Sequence, residues 1–296
     1  MIKTIVNTKK IEEADVVILS APYEKTASSH KGTALGPKKV VEFLNTQIEF
    51  FDRKFKTDVT DFVKTAHLNL SMIEKLSPKQ AYEKIKETSS RILSKNKFIF
   101  LLGGEHSVCI GNFEALSKKY NPKDVTIVQI DAHCDLRNND GDYSDTPSQF
   151  AHSAVMRRAS EMGFPIVQVG IRTYSHEEFN YFTDKKNNIT VFEWGNGKKV
   201  PTVADILKSV KTKYLYITID VDGFDPAHMP GTGTAVQGGL EWWYGVDLLE
   251  QLITKKELVG ADIVEVSPQK ETFLTEYGSA QLMYTMIAHK FQKRFK

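Results

Sequence analysis

The chain has 296 residues, 41% of them hydrophobic, 26% charged and 10% aromatic, the balance of a folded globular protein and not of a disordered or fibrous one. Thirty-nine basic against thirty-seven acidic residues leave a formal charge of +2, too near neutral to imply a nucleic-acid surface. Two cysteines, Cys109 and Cys134, exclude a disulfide framework; Met1-Ile2-Lys3-Thr4 carries no apolar signal core and no apolar run of about eighteen residues occurs, so a cytoplasmic protein without a membrane partner is expected.

Taken in chain order, apolar and β-branched runs predict strands at 15–19, 98–102, 125–130, 166–170, 189–192, 214–219 and 259–264. Most are continuously apolar, as in parallel strands covered on both faces. Gly36-Pro37 opens one helix, and Ser77 with Pro78 caps and starts another that runs to about Lys95. The last helix carries Ala280, Met283, Tyr284, Ile287 and Phe291 at helical spacing. The basic end, Lys290, Lys293, Arg294 and Lys296, reads as a solvated helix terminus. Strand–helix alternation from end to end, with no repeat and no long linker, predicts one α/β domain over residues 1–296 with a mainly parallel sheet.

Parallel sheets bind ligands beyond the carboxyl ends of their strands. Three such ends carry unusual polar density: Gly103-Gly104-Glu105-His106-Ser107, Asp131-Ala132-His133-Cys134-Asp135, and Asp220-Val221-Asp222-Gly223-Phe224-Asp225. Alternation in extended chain predicts that Asp131, His133 and Asp135 face one way, and that Asp220 and Asp222 do likewise. Four carboxylates in one crevice repel strongly, and two divalent cations would cancel their charge. Any one of these segments alone is weak, because loops use Asp and His for turns and caps; three at strand ends are hard to attribute to chance.

These segments resemble the signature motifs of the ureohydrolase family, which includes arginase, agmatinase and formimidoylglutamase. Thr218 through Asp222, Pro230-Gly231-Thr232-Gly233-Thr234 and Gly238-Gly239 match its most specific pattern. Gly32-Thr33-Ala34-Leu35-Gly36-Pro37 and Val264-Glu265-Val266-Ser267-Pro268 also fall in family order, so the resemblance spans essentially the whole chain. It implies a three-layer α/β/α sandwich with an eight-stranded parallel sheet, one strand beyond the seven above, expected near Thr57-Asp58-Val59. It also implies a trimeric or hexameric homo-oligomer and a site for two manganese ions: one held by His106, Asp131, Asp135 and Asp220, the other by His133, Asp131, Asp220 and Asp222. An oxygen-rich set without thiolate suits manganese better than zinc. His152 aligns with the family's proton-shuttling histidine and Glu265 with the carboxylate that holds the substrate guanidinium, a pairing that suits a planar fork; Thr234 lies near the nucleophile. The implied reaction is hydrolysis of a guanidino group with release of urea.

Arg137, where arginases have an Asn, together with Glu105, looks like the agmatinase form, which makes agmatine the expected substrate and putrescine the product. Ala34 and Ser29-His30-Lys31 depart from the commonest form, so N1-aminopropylagmatine, guanidinobutyrate, arginine and formimidoylglutamate stay open. A zinc deacetylase of the same sandwich and a metal-free binding protein are the competing classes, and the full set of ligands argues against both. The remaining polar features read as structural: Gly103 and Gly104 for a tight turn, Asp225 for an Asx-type bond, Cys134 as a core thiol, Trp242 and Trp243 as packing anchors, Arg157 and Arg158 as a solvated face, and His30, His67, His176, His228 and His289 as loop or surface residues, with His30 within reach of a pocket mouth.

Overall fold

The computed structural model describes residues 3–295; Met1, Ile2 and Lys296 lie outside the described residues. Among the described residues ten strands occur: β1 (Val16–Ala21), β2 (Phe51–Asp52), β3 (Thr57–Asp58), β4 (Thr65–Asn69), β5 (Phe98–Gly103), β6 (Val125–Ile130), β7 (Ile166–Ile171), β8 (Ile189–Glu193), β9 (Tyr214–Asp220) and β10 (Glu257–Val264). Eight of them form one sheet in the order β4-β1-β5-β10-β9-β6-β7-β8, and every pairing in it is parallel. All seven predicted runs are in this sheet.

The eighth strand is not near Thr57. Thr57–Asp58 pairs with Phe51–Asp52 in a separate two-residue antiparallel ribbon, and the missing strand is β4, which pairs with β1 alone. As an edge strand β4 is covered less completely than the centre, and its sequence Thr-Ala-His-Leu-Asn carries no continuous apolar run.

The helices are α1 (Gly36–Thr46), α2 (Pro78–Ser94), α3 (Cys109–Lys119), α4 (Val155–Glu161), α5 (His176–Thr183), α6 (Val203–Ser209), α7 (Trp242–Lys255) and α8 (Leu274–Phe291). They make the outer layers because the strands bury both faces. In β1, Val16 and Ile18 join a core with α1, α6, α7 and α8, while Val17 and Leu19 join a second core with α2, α3 and α4. The same alternation divides Phe98, Phe100 and Leu102 from Ile99 and Leu101 in β5. The Ser77 cap is a full capping box, with Ser77 and Gln80 each accepting from the other's backbone N–H.

Several local readings need correction. Gly103 and Gly104 stand where β5 turns into its loop, but not for a positive φ; a Cβ on Gly104 would lie 2.2 Å from the Tyr23 carbonyl oxygen, and one on Gly103 would meet Val108 and Val264. They are small because chain must pass close by. His289 is buried in α8, not at the surface, and Trp243 is 69% exposed, so only half-buried Trp242 packs, against Phe224. Arg157 lies 3.7 Å over the Tyr181 ring, and Arg158 bonds Gln149, Asn138 and Glu161, so this face is pinned by its own chain. Asp225 does hold its loop, accepting from the N–H groups of Ala227, Gly238 and Gly239. Cys134 is buried in the core as read.

Gly104→Ala is expected to cost about 3 kcal/mol, because the clash is with backbone that cannot turn aside. A urea-unfolding midpoint equal to that of the parent would show that the β5 exit can widen.

Candidate metal centre and the cleft above it

The four central strands, adjacent in the order β5-β10-β9-β6, end together. Their carboxyl ends carry His106, Glu265, Asp220 and the Asp131–Asp135 segment respectively. Convergence is therefore a matter of neighbouring strands about 5 Å apart. Simple alternation does not complete it, because 131–135 is irregular chain beyond β6, and Asp222 lies in a 3-10 turn, Val221–Gly223. Asp220 builds that turn, its Oδ1 accepting the Asp222 N–H at 2.9 Å. Asp135 and Glu265 adopt φ of +53° and +62°, a left-handed conformation that costs a non-glycine residue free energy and clusters at functional positions.

The six residues read as ligands form two linked groups. His106 Nδ1 lies 2.9 Å from Asp135 Oδ2, 3.3 Å from Asp131 Oδ2 and 3.8 Å from Asp220 Oδ2. His133 Nδ1 lies 3.1 Å from Asp222 Oδ2 and 3.6 Å from Asp131 Oδ1. Asp131 thus turns one oxygen to each imidazole. Ligand atoms of His106, Asp131 and Asp220, and of Asp131, His133 and Asp222, cluster closely enough to share an ion.

The surrounding hydrogen bonds fit a cation as well. Thr218 donates to Asp262 Oδ1 at 2.7 Å, so His106 Nε2, 2.8 Å away, must donate to Thr218 Oγ1. That leaves the buried Nδ1, which has no hydrogen-bond partner, as a lone-pair donor facing the carboxylates. Gln129 donates to Asp131 Oδ2, and Ala132 N–H and Thr234 Oγ1 donate to the two oxygens of Asp222.

The electrostatics state the same demand. Burial opposes charge on both imidazoles, yet the facing carboxylates overcome it, raising His106 well above its ordinary value and His133 to about 11. Burial and then the Asp131 charge push Asp135 up to about 7; burial, then Asp222 and Asp131, raise Asp220 well above the carboxylate range. The cluster collects positive charge from whatever source offers it.

Above these groups opens a cleft of about 250 Å³ walled by Ala27–His30, Tyr143, Tyr174, Thr234 and Arg137, with Glu265 and His152 also lining it. Glu265 Oε1 accepts the His106 N–H at 2.7 Å. Burial, then the nearby Glu105 charge, raises its carboxyl well above the usual range, so a cationic partner is favoured beside it. His152 is pushed down to about 4 by burial, hence neutral near pH 7. Its Nδ1 has no partner and its Nε2 lies 3.4 Å from Ser28 Oγ. Arg137 is ion-paired to Asp142 and reaches within 4.0 Å of Glu178.

Two elements of the site were not singled out in the sequence. Thr26 joins buried Glu105 to the His152 backbone. Arg172 fans its guanidinium over the carbonyls of Gly170, Asp222, Gly223, Phe224, Val236 and Gln237, with bonds of 2.5–3.4 Å, gathering the loop that carries Asp222 and Thr234. Inspecting the exits of all the parallel strands would have found both, since Thr26 follows β1 and Arg172 follows β7 directly.

The sequence profile of the arginase family matches residues 14–288. N(1)-aminopropylagmatine ureohydrolase of Synechocystis is 31% identical over 283 residues, 94% of this chain and 89% of that protein. Agmatinase of Bacillus subtilis is 33% identical over 265 residues, 87% of this chain and 85% of that protein. The crystal structure of agmatine ureohydrolase of Thermoplasma volcanium superposes with a TM-score of 0.82 at 29% identity, covering 98% of this chain and 94% of that one. The fold, the four-strand convergence and these three likenesses agree, and the chain belongs to the arginase family of hydrolases.

Proposed function

We propose that residues 1–296 form one ureohydrolase domain that uses two manganese ions to hydrolyse agmatine to putrescine and urea. The observation that carries this reading is the set of two imidazoles and four carboxylates on the floor of a cleft that also presents Glu265. His106, Asp131, Asp135 and Asp220 would hold one ion and His133, Asp131, Asp220 and Asp222 the other. The oxygen-rich donor set without thiolate suits manganese, and the unpartnered His106 Nδ1 supplies a ready ligand atom. Once bound, such a pair supplies Lewis acidity and lowers the pKa of water toward neutrality.

The remaining chemistry falls to the chain. Glu265 receives the planar guanidinium as a carboxylate–fork pair and orients its carbon toward the floor of the cleft. Thr234 holds Asp222 by its 3.1 Å bond. Neutral His152 takes the proton released when water adds to the guanidino carbon and gives it to the departing amine. Addition of one water and rupture of one C–N bond yield urea and the protonated amine, so atoms and charge balance.

Agmatine is favoured over arginine because Arg137, the one Lys or Arg among the described residues that line the cleft, is already paired with Asp142 and lies near Glu178, whereas the Tyr143 and Tyr174 rings suit an alkyl ammonium. N1-aminopropylagmatine is the second reading, favoured by the Synechocystis relative, which matches over the larger share of this chain.

Metal analysis of manganese-reconstituted protein is expected to approach two ions per chain, and Asp131→Asn to bind markedly fewer, because Asp131 alone faces both imidazoles. One ion per chain with zinc as the better activator would point to the deacetylase class. In a substrate panel read by urea release, agmatine is expected to exceed arginine in kcat/KM by orders of magnitude, since an unpaired carboxylate in the cleft costs several kcal/mol. A better rate with arginine would sink the agmatine assignment and leave the family untouched. Glu265→Gln is expected to impair both KM and kcat, whereas His152→Asn should lower kcat by roughly 10²-fold with KM less affected. Near-parental kcat in His152→Asn with metals loaded would remove the histidine from the proton path.

A further inference from the structure

His152 is placed by its backbone more than by its ring. The ring has one long contact, the 3.4 Å approach to Ser28 Oγ, and a tilted packing against Tyr143 at 5.8 Å, while its Nδ1 is buried and unpartnered. The backbone is held firmly: His152 N–H donates to Thr26 Oγ1 at 3.1 Å. The Thr26 hydroxyl in turn donates to Glu105 Oε1 at 2.6 Å, and Thr26 N–H donates to Glu105 Oε2 at 2.8 Å. Glu105 is fully buried, one residue before His106 on the β5 exit, and also takes the Ser107 hydroxyl at 2.5 Å.

A threonine hydroxyl has one proton and two lone pairs. With its proton committed to Glu105, Thr26 can present only a lone pair to His152, and the two-point grip of Glu105 fixes where that lone pair aims. A ring left free to exchange protons is thereby set at a defined height above the cleft floor. We propose that Thr26, clamped by Glu105, is a positioning residue for His152, coupling the loop after β1 to the proton-transfer step. This rests on the proton role proposed for His152. Val lacks the hydroxyl at nearly the same shape, Ser retains it, and Ser107→Ala removes a different donor from the same Glu105 oxygen without touching His152.

The test compares these three variants in the metal-loaded full-length enzyme, in the parental and His152→Asn backgrounds. Thr26→Val is expected to lower kcat about 10-fold with KM within about twofold, with Thr26→Ser restoring most of it and Ser107→Ala keeping the parental kcat. In the His152→Asn background, Thr26→Val is expected to change kcat by less than about twofold, because there is no proton carrier left to position. The ring resonances of ¹⁵N-labelled His152, read on the metal-free protein because manganese would broaden them, should shift in Thr26→Val but not in Ser107→Ala. Equal losses in both backgrounds, or a Ser107→Ala defect matching Thr26→Val, would show a merely structural role and overturn the proposal while leaving the reaction class intact. A near-parental kcat in His152→Asn alone would instead overturn the reading on which it rests.

Discussion

Four carboxylates and two imidazoles share the space beyond four neighbouring strand ends, with Asp131, Asp220, Asp222 and His106 almost wholly removed from water. Charge in such a place is tolerated only when opposite charge or directed hydrogen bonds answer it. Much of the surrounding structure supplies those answers. Ala132 and His133 turn their N–H groups onto Asp222 and Asp131, Gln129 donates a side-chain amide to Asp131, and Asp222 N–H meets Asp220. Behind His106, Thr218 and Asp262 settle which ring nitrogen carries the proton.

Sheet topology is what allows so dense a cluster. The order β5-β10-β9-β6 interleaves early and late parts of the chain, so residues 106, 131, 220 and 265 meet although long segments separate them. The crossovers needed for this are the helices of the two outer layers, and their apolar faces bury both sides of the strands. Stability and chemistry are thus divided along each strand: mainly apolar residues in the body, with Gln129, Thr218 and Asp262 bonded among them beneath the site, and the clustered polar residues at or beyond the last step. Glu265 links the two functions, its backbone N–H bonding Gly104 and its side chain the next turn of the same segment at His106.

The body of the fold was legible because buried parallel strands leave mainly apolar, β-branched runs, and all seven such runs are strands. The edge strand β4 was not, since Thr65, His67 and Asn69 break the run where one neighbour is missing. The six clustered residues were legible from their position at or after three strand ends, but alternation does not by itself bring them together: turns and two left-handed residues aim Asp222, Asp135 and Glu265. Thr26 and Arg172 escaped notice because a single threonine or arginine in a loop has no spacing pattern. Their place after β1 and β7 marks them as candidates, and the distant carbonyls and carboxylates they serve show what they do. His289 was misjudged because burial at one position of a helix buried nearly all round cannot be seen from residue type alone.

Arg172 spends its charge entirely on main-chain oxygens of three separate stretches, around 170, 222–224 and 236–237. A lysine could occupy the same spot but not the same bonds, having a single nitrogen where the guanidinium has a planar array of donors. The segment from Val221 to Glu241 contains no strand or helix longer than one 3-10 turn, and backbone oxygens, unlike side chains, are offered by every residue type. The clamp itself is therefore indifferent to which side chains stand between its stretches, whereas inserting or deleting a residue at 222–224 or 236–237 would put the oxygens out of step. The clamp thus depends on the length of chain between its stretches, while the letters of the loop are set elsewhere, by the bonds of Asp222, Asp225 and Thr234 and by the burial of Phe224 and Met229.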